Sequence, residues 1–93
     1  MTPEKIENER WAFSTELLPV TSALIRALRY DDRQHLLEVV FQNGRVYHYV
    51  NVPAGVYQNL LNAGSPGRYF ATHIRNLYPY WRLHRLPRRK KNA

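Results

Sequence analysis

The chain has 93 residues, 44% of them hydrophobic, with two Trp, seven Tyr, three Phe and a formal net charge of +7. These values fit one domain with a modest core and exclude wholesale disorder, and the lack of cysteine excludes a disulfide framework and thiolate metal sites. No apolar run reaches membrane-spanning length, and the acidic, polar start MTPEKIENER lacks the pattern of a signal peptide, so a cytoplasmic protein without a membrane partner is expected.

Thr2-Pro3 has the form of an N-cap followed by proline at the first helical position, which allows a short helix to about Phe13. Leu17-Leu18-Pro19 reads as a linker anchored by its leucines. Three strands are predicted next. The first runs over 25–30 and ends at the turn signal Asp31-Asp32. The second, LLEVVFQ over 36–42, is rich in β-branched and aromatic residues. Asn43-Gly44 is a hairpin signal, and RVYHYV over 45–50 is the returning strand. Val56, Tyr57, Leu60 and Leu61 recur at helical spacing, so 53–62 should be an amphipathic helix ended by Ala63-Gly64. Ser65-Pro66 repeats the cap-plus-proline signal, and Tyr69, Phe70, His73, Ile74 and Leu77 would form the buried stripe of a second helix, with Pro79 barring any continuation. The end, LPRRKKNA, has four consecutive bases and no apolar period, the pattern of a disordered tail. The expected organisation is an N-terminal extension over 1–19, a domain over 20–83 and a basic tail over 84–93. Its fold class is α+β: a three-stranded antiparallel meander with two C-terminal helices packed on one face.

The hairpin turn decides where the tyrosines of Tyr47-His48-Tyr49 point. A two-residue Asn43-Gly44 turn pairs Val39 with His48 and sets both tyrosines opposite Leu37, Val39 and Phe41. A three-residue turn with Gly44 in the left-handed region, a G1 bulge, pairs Val39 with Tyr47 instead. A one-residue slip flips every side chain, so the two exclude each other. The bulged register gathers Leu37, Val39, Phe41, Tyr47 and Tyr49 on one face and leaves Glu38, Gln42 and His48 on the other. That separation is the cleaner one, and it makes the tyrosines mainly structural.

Charge is distributed unevenly. Up to Glu38 the chain carries −2; after Glu38 it has nine bases and no acid, or +9. A one-signed half favours polyanionic partners. Several of those bases interleave with aromatic residues: Arg68, Arg75, Arg82 and Arg85 alternate with Tyr78, Tyr80, Trp81 and His84. Arginine for phosphates with an aromatic face for bases is what a single-stranded nucleic acid requires.

The stretch from Val20 to Leu83 resembles the KTSC domain, a small domain named for its place at the C-terminus of some lysyl-tRNA synthetases and also found alone in bacterial and phage proteins. The matching residues are Tyr47-His48-Tyr49, Val52-Pro53 opening a helix, Ser65, Gly67, Tyr69-Phe70, Ile74-Arg75 and Tyr78-Pro79-Tyr80. Pro66 departs from the family, which tends to carry a lysine or similar residue there. The resemblance implies no catalytic residues, and RNA binding is a role suggested for the family.

Four histidines (His35, His48, His73, His84) fit no metal-binding spacing, so no metal or other cofactor is expected. His48 on a strand and His73 on a helix, with Arg75 and a tyrosine, would suit a metal-free ribonuclease if they converged; the simpler expectation is a strand surface residue and a half-buried helix residue. A non-catalytic nucleic-acid-binding module, with RNA favoured, is therefore expected. Arg68, Arg75, Arg82, Arg85, Arg88, Arg89, Lys90 and Lys91 would hold phosphates, and Trp81 would stack on a base. A bacterial or phage protein–protein adaptor docking on an acidic surface is the alternative.

Overall fold

The computed structural model describes residues 16–83. The helix expected near Thr2 and the basic tail from His84 onward lie outside them. Five strands form one antiparallel sheet in sequential order: β1 (Leu18–Pro19), β2 (Ile25–Asp31), β3 (Leu36–Phe41), β4 (Val46–Tyr49) and β5 (Tyr80–Arg82). Two helices, α1 (Ala54–Asn62) and α2 (Pro66–His73), lie between β4 and β5 in the chain.

The α+β class stands, with β3 central, but the three-stranded meander with helices at its C-terminal end is corrected. The Leu18-Pro19 "linker" is an edge strand, paired as Leu18↔Leu28 and Pro19↔Ala27, and proline is tolerated at an edge where no ladder donor is needed. After α2 the chain returns as β5 along the far side of β4. Strands of two and three residues have no period of their own; pairing with a neighbour defines them.

The β3–β4 hairpin adopts the bulged register: Leu37↔Tyr49, Glu38↔His48 and Val39↔Tyr47. Gly44 has φ 90°, its N–H donates to the Phe41 carbonyl, and the Phe41 N–H donates to the Arg45 carbonyl at 2.9 Å. Glycine is suited to that left-handed turn because it has no Cβ to meet the following carbonyl.

Both helices cover one face of the sheet. Tyr57 of α1 stacks on Tyr30 with centroids 4.9 Å apart, and Phe70 of α2 meets Phe41 and Tyr49 edge-on at 5.5 and 5.4 Å. Leu28, Leu37, Val39, Val52, Leu60 and Ile74 complete this core. The Tyr30 hydroxyl donates to the Val52 carbonyl, so a buried phenol keeps a partner.

Ser65 caps α2: its hydroxyl accepts from the Arg68 N–H at 3.3 Å, with Pro66 in the first turn. The helix stops at His73, short of the stripe expected to Leu77. Ile74 leaves helical geometry, the Arg75 N–H turns back to the Phe70 carbonyl at 2.9 Å, and Leu77 is 66% exposed. This wider closing turn ends α2 before the chain runs on to β5, and Arg75 and Asn76 then line the cleft beside Tyr80.

Candidate functional site

The bulge and the alternation of β4 bring Tyr47 and Tyr49 to the helix-covered face, and β5 adds Tyr80 opposite Tyr49. Tyr80 lies 5.2 Å from each of the other two rings. Phe41 closes on Tyr47 edge-on at 5.3 Å. Exposure rises outward across this cluster: Tyr49 is 3% exposed, Tyr47 is half-buried and Tyr80 is 53% exposed. The helices stop short of the β5 side and leave a cleft of about 320 Å³ lined by these rings, Phe70, Arg45, Arg75, Asn43 and Asn76.

The cleft is electropositive at its rim. The Arg75 guanidinium carbon lies 5.5 Å from the Phe70 ring centroid, and no carboxylate among the described residues lines the walls. Burial pushes the Tyr49 phenol up to about 12, aided by Tyr80 and Tyr47 and opposed by Arg75. It therefore stays neutral and able to donate. Asn43 is held by an Asx turn in which its Oδ1 accepts from the Arg45 N–H at 2.9 Å.

The opposite face carries a polar row across four strands: Arg29, Glu38, His48 and Trp81 occupy paired positions. Glu38 accepts from Arg29 Nη2 at 3.0 Å and from His48 Nε2 at 2.9 Å; a carboxylate only accepts, so that ring nitrogen carries the proton. Burial alone would raise the Glu38 pKa. The hydrogen bonds from His48 and Arg29 outweigh it and hold the carboxyl below its ordinary value. His48, expected on the surface, is 3% exposed, because both of its strand neighbours and the Glu38 carboxylate surround it.

The structure divides the sequence-derived set of site residues. Arg75 lines the cleft, and Arg82 shares the strand face of Tyr80, paired with Tyr47 and exposed. Arg68 is exposed in the first turn of α2, outside the cleft lining. Trp81 lies on the other side of the sheet, its ring 5.9 Å from His48, although it is 51% exposed. Sequence alone groups it with the arginines, because a three-residue strand shows no alternation that would set Trp81 on the opposite face from Tyr80 and Arg82. Arg85, Arg88, Arg89, Lys90 and Lys91 lie outside the described residues. Sequence reasoning missed Arg45, Asn43 and Asn76, treating Asn43-Gly44 only as a turn, although a turn that fixes the register of Tyr47 also places its own side chains beside that ring.

His48 and His73 do not converge. His48 faces away from the helices while His73 is on α2, stacked on Tyr69 at 4.2 Å. Among the described residues no cluster of three His, Asp or Glu side chains forms a metal site, and no helix is long and apolar enough to cross a membrane.

Residues 21–78 match the profile of the KTSC domain. The chain belongs to the KTSC domain family. The crystal structure of a KTSC domain protein from Yersinia pestis superposes with a TM-score of 0.70 at 31% identity, covering 74% of this chain and 97% of that one. A protein of Stutzerimonas stutzeri is 44% identical over 63 residues, 67% of this chain and 89% of its own length. A lysine–tRNA ligase of a Nostoc species is 36% identical over 67 residues, 72% of this chain but 12% of the ligase. The KTSC residues that carried the resemblance include Tyr47, Tyr49, Phe70, Arg75 and Tyr80, all of which line the cleft.

Proposed function

We propose that this KTSC domain is a non-catalytic module that binds single-stranded RNA in the aromatic cleft. The observation that carries it is the half-exposed Tyr80 ring beside two further tyrosines, rimmed by Arg45 and Arg75, with no carboxylate among the described lining residues. A base stacks on Tyr80, and Arg45, Arg75 and Arg82 neutralise the flanking phosphates. The family's presence in lysine–tRNA ligases supports an RNA ligand, and a cytoplasmic setting goes with it. The two histidines on opposite sides of the sheet support a binding role over cleavage.

Titrating a fluorescent single-stranded RNA against the full chain at several salt concentrations tests this. Engaging about three phosphates through these arginines gives a slope of log K against log salt near −2. Tyr80→Ala weakens binding by roughly 1–3 kcal/mol with little change in slope, because stacking releases no counterions. Trp81→Ala, across the sheet, leaves affinity nearly unchanged. Equal affinity for heparin and RNA, with no loss on Tyr80→Ala, contradicts the proposal and favours an adaptor that docks on acidic protein surfaces.

A further inference from the structure

The cleft's polar groups are biased toward donors, and the bias originates in the hairpin turn. Asn43 spends its side-chain oxygen on the Arg45 N–H at 2.9 Å. That bond fixes which end of the amide is which and leaves the NH2 group, on a residue that lines the cleft, outside the turn bond. Arg45 and Arg75 carry guanidinium groups, which only donate. The tyrosine hydroxyls can serve either way, and Asn76 is the one lining amide not held by a turn bond. With no carboxylate among the described lining residues, the side chains offer donor-only groups and no acceptor-only group.

Nucleobases divide on the same property. Uracil and guanine present carbonyl oxygens where cytosine and adenine present an amino group. A donor facing an amino group leaves both partners without an acceptor, and the mismatch forfeits about one net hydrogen bond. The C4 substituent of a pyrimidine, or the C6 substituent of a purine, stacked on Tyr80 therefore meets matched chemistry when it is a carbonyl.

We propose that the cleft selects keto-bearing bases, uracil or guanine, and that the Asn43 amide is a specificity-determining donor. This rests on the RNA reading above and adds the base class to it. Uracil and cytosine compared in short oligonucleotides are the cleanest pair, since both are pyrimidines with similar stacking.

The test is fluorescence anisotropy of the full chain with uridine and cytidine octamers at one salt concentration, repeated with Asn43→Asp. The wild-type chain should bind the uridine octamer about fivefold more tightly, the worth of one net hydrogen bond. Asn43→Asp keeps the oxygen that accepts from Arg45 but replaces the NH2 donor by an acceptor. Its added negative charge weakens both octamers, so the ratio is the readout, and the ratio should fall to one or invert. A thermal melt of the variant establishes that the hairpin is intact. Equal binding of both octamers by the wild-type chain overturns the keto selection while leaving RNA binding in place. A uridine preference that persists unchanged in a folded Asn43→Asp overturns the role of Asn43. Binding of neither octamer overturns the RNA reading itself.

Discussion

Glu38 is a carboxylate that the sheet buries on its helix-free face, between Arg29 and His48. Removing it takes away the acceptor that both side chains use; Arg29, partly exposed, can turn to water, but the buried His48 N–H is left without that acceptor, at a cost of about 1–3 kcal/mol. Glu38→Ala should accordingly lower the urea midpoint sharply at pH 7. Because the folded-state pKa of Glu38 lies below its ordinary 4.5, its stabilisation is complete above that value. It is lost as the pH falls through the folded-state pKa. Urea melts at pH 7 and pH 3 should show a shallower acid loss in Glu38→Gln than in the natural chain. Tyr49 acts at the other end of the scale. Its folded pKa is raised from 10.0 to about 12, so its contribution is intact below pH 10 and is lost as the pH rises through about 12. An ultraviolet titration should show late-ionising phenols, and Tyr49→Phe should remove one, leaving Tyr30, whose pKa burial and Asp32 also raise.

Gly44 sets the register of the β3–β4 hairpin, and through it the face on which Tyr47 and Tyr49 lie. A Cβ at φ 90° costs about 1–2 kcal/mol, partly offset by the smaller entropy of the unfolded chain. Gly44→Ala should therefore lose about 1 kcal/mol, a drop of about 4–8 °C in Tm for a domain of this size. This register was legible in the sequence because only the bulge separates Leu37, Val39 and Phe41 from Glu38 and His48. The edge strands were not. Leu18-Pro19 and Tyr80 to Arg82 are too short to alternate visibly, so Trp81 was placed with Arg75 when the sheet separates them. Leu77 misled for a related reason: an apolar residue at helical spacing continues a pattern on paper after Ile74 has already left the helix. The burial of Glu38 and His48 was equally hidden, since alternating polar residues in a strand look like a solvent face until their cross-strand partners are known. Of the cleft, the sequence singles out Arg75 as a binding residue, while its bulged register makes Tyr47 and Tyr49 structural. Arg45 and Asn43 could not be assigned until the turn type gave them a neighbour.

At the scale of the whole molecule, charge and shape coincide. The acid-free stretch after Glu38 supplies the end of β3, the hairpin turn, β4, both helices and β5, and so builds every wall of the cleft. The acids of the first half include Glu38, which is buried on the far face, paired there with the Arg29 guanidinium and hydrogen-bonded to His48. Arg45, Arg75 and Arg82 thus give a single sign of charge to the face that also offers aromatic rings, as the proposed polyanionic ligand requires. Side-chain chemical-shift mapping of the full chain on addition of a uridine octamer tests that coincidence most directly. The largest changes should fall on the Tyr80 and Tyr47 rings and the Asn43 amide, with the Trp81 indole across the sheet almost unmoved. Shifts centred on the Trp81 indole and the Arg29 guanidinium, with the tyrosine rings unchanged, would contradict the account.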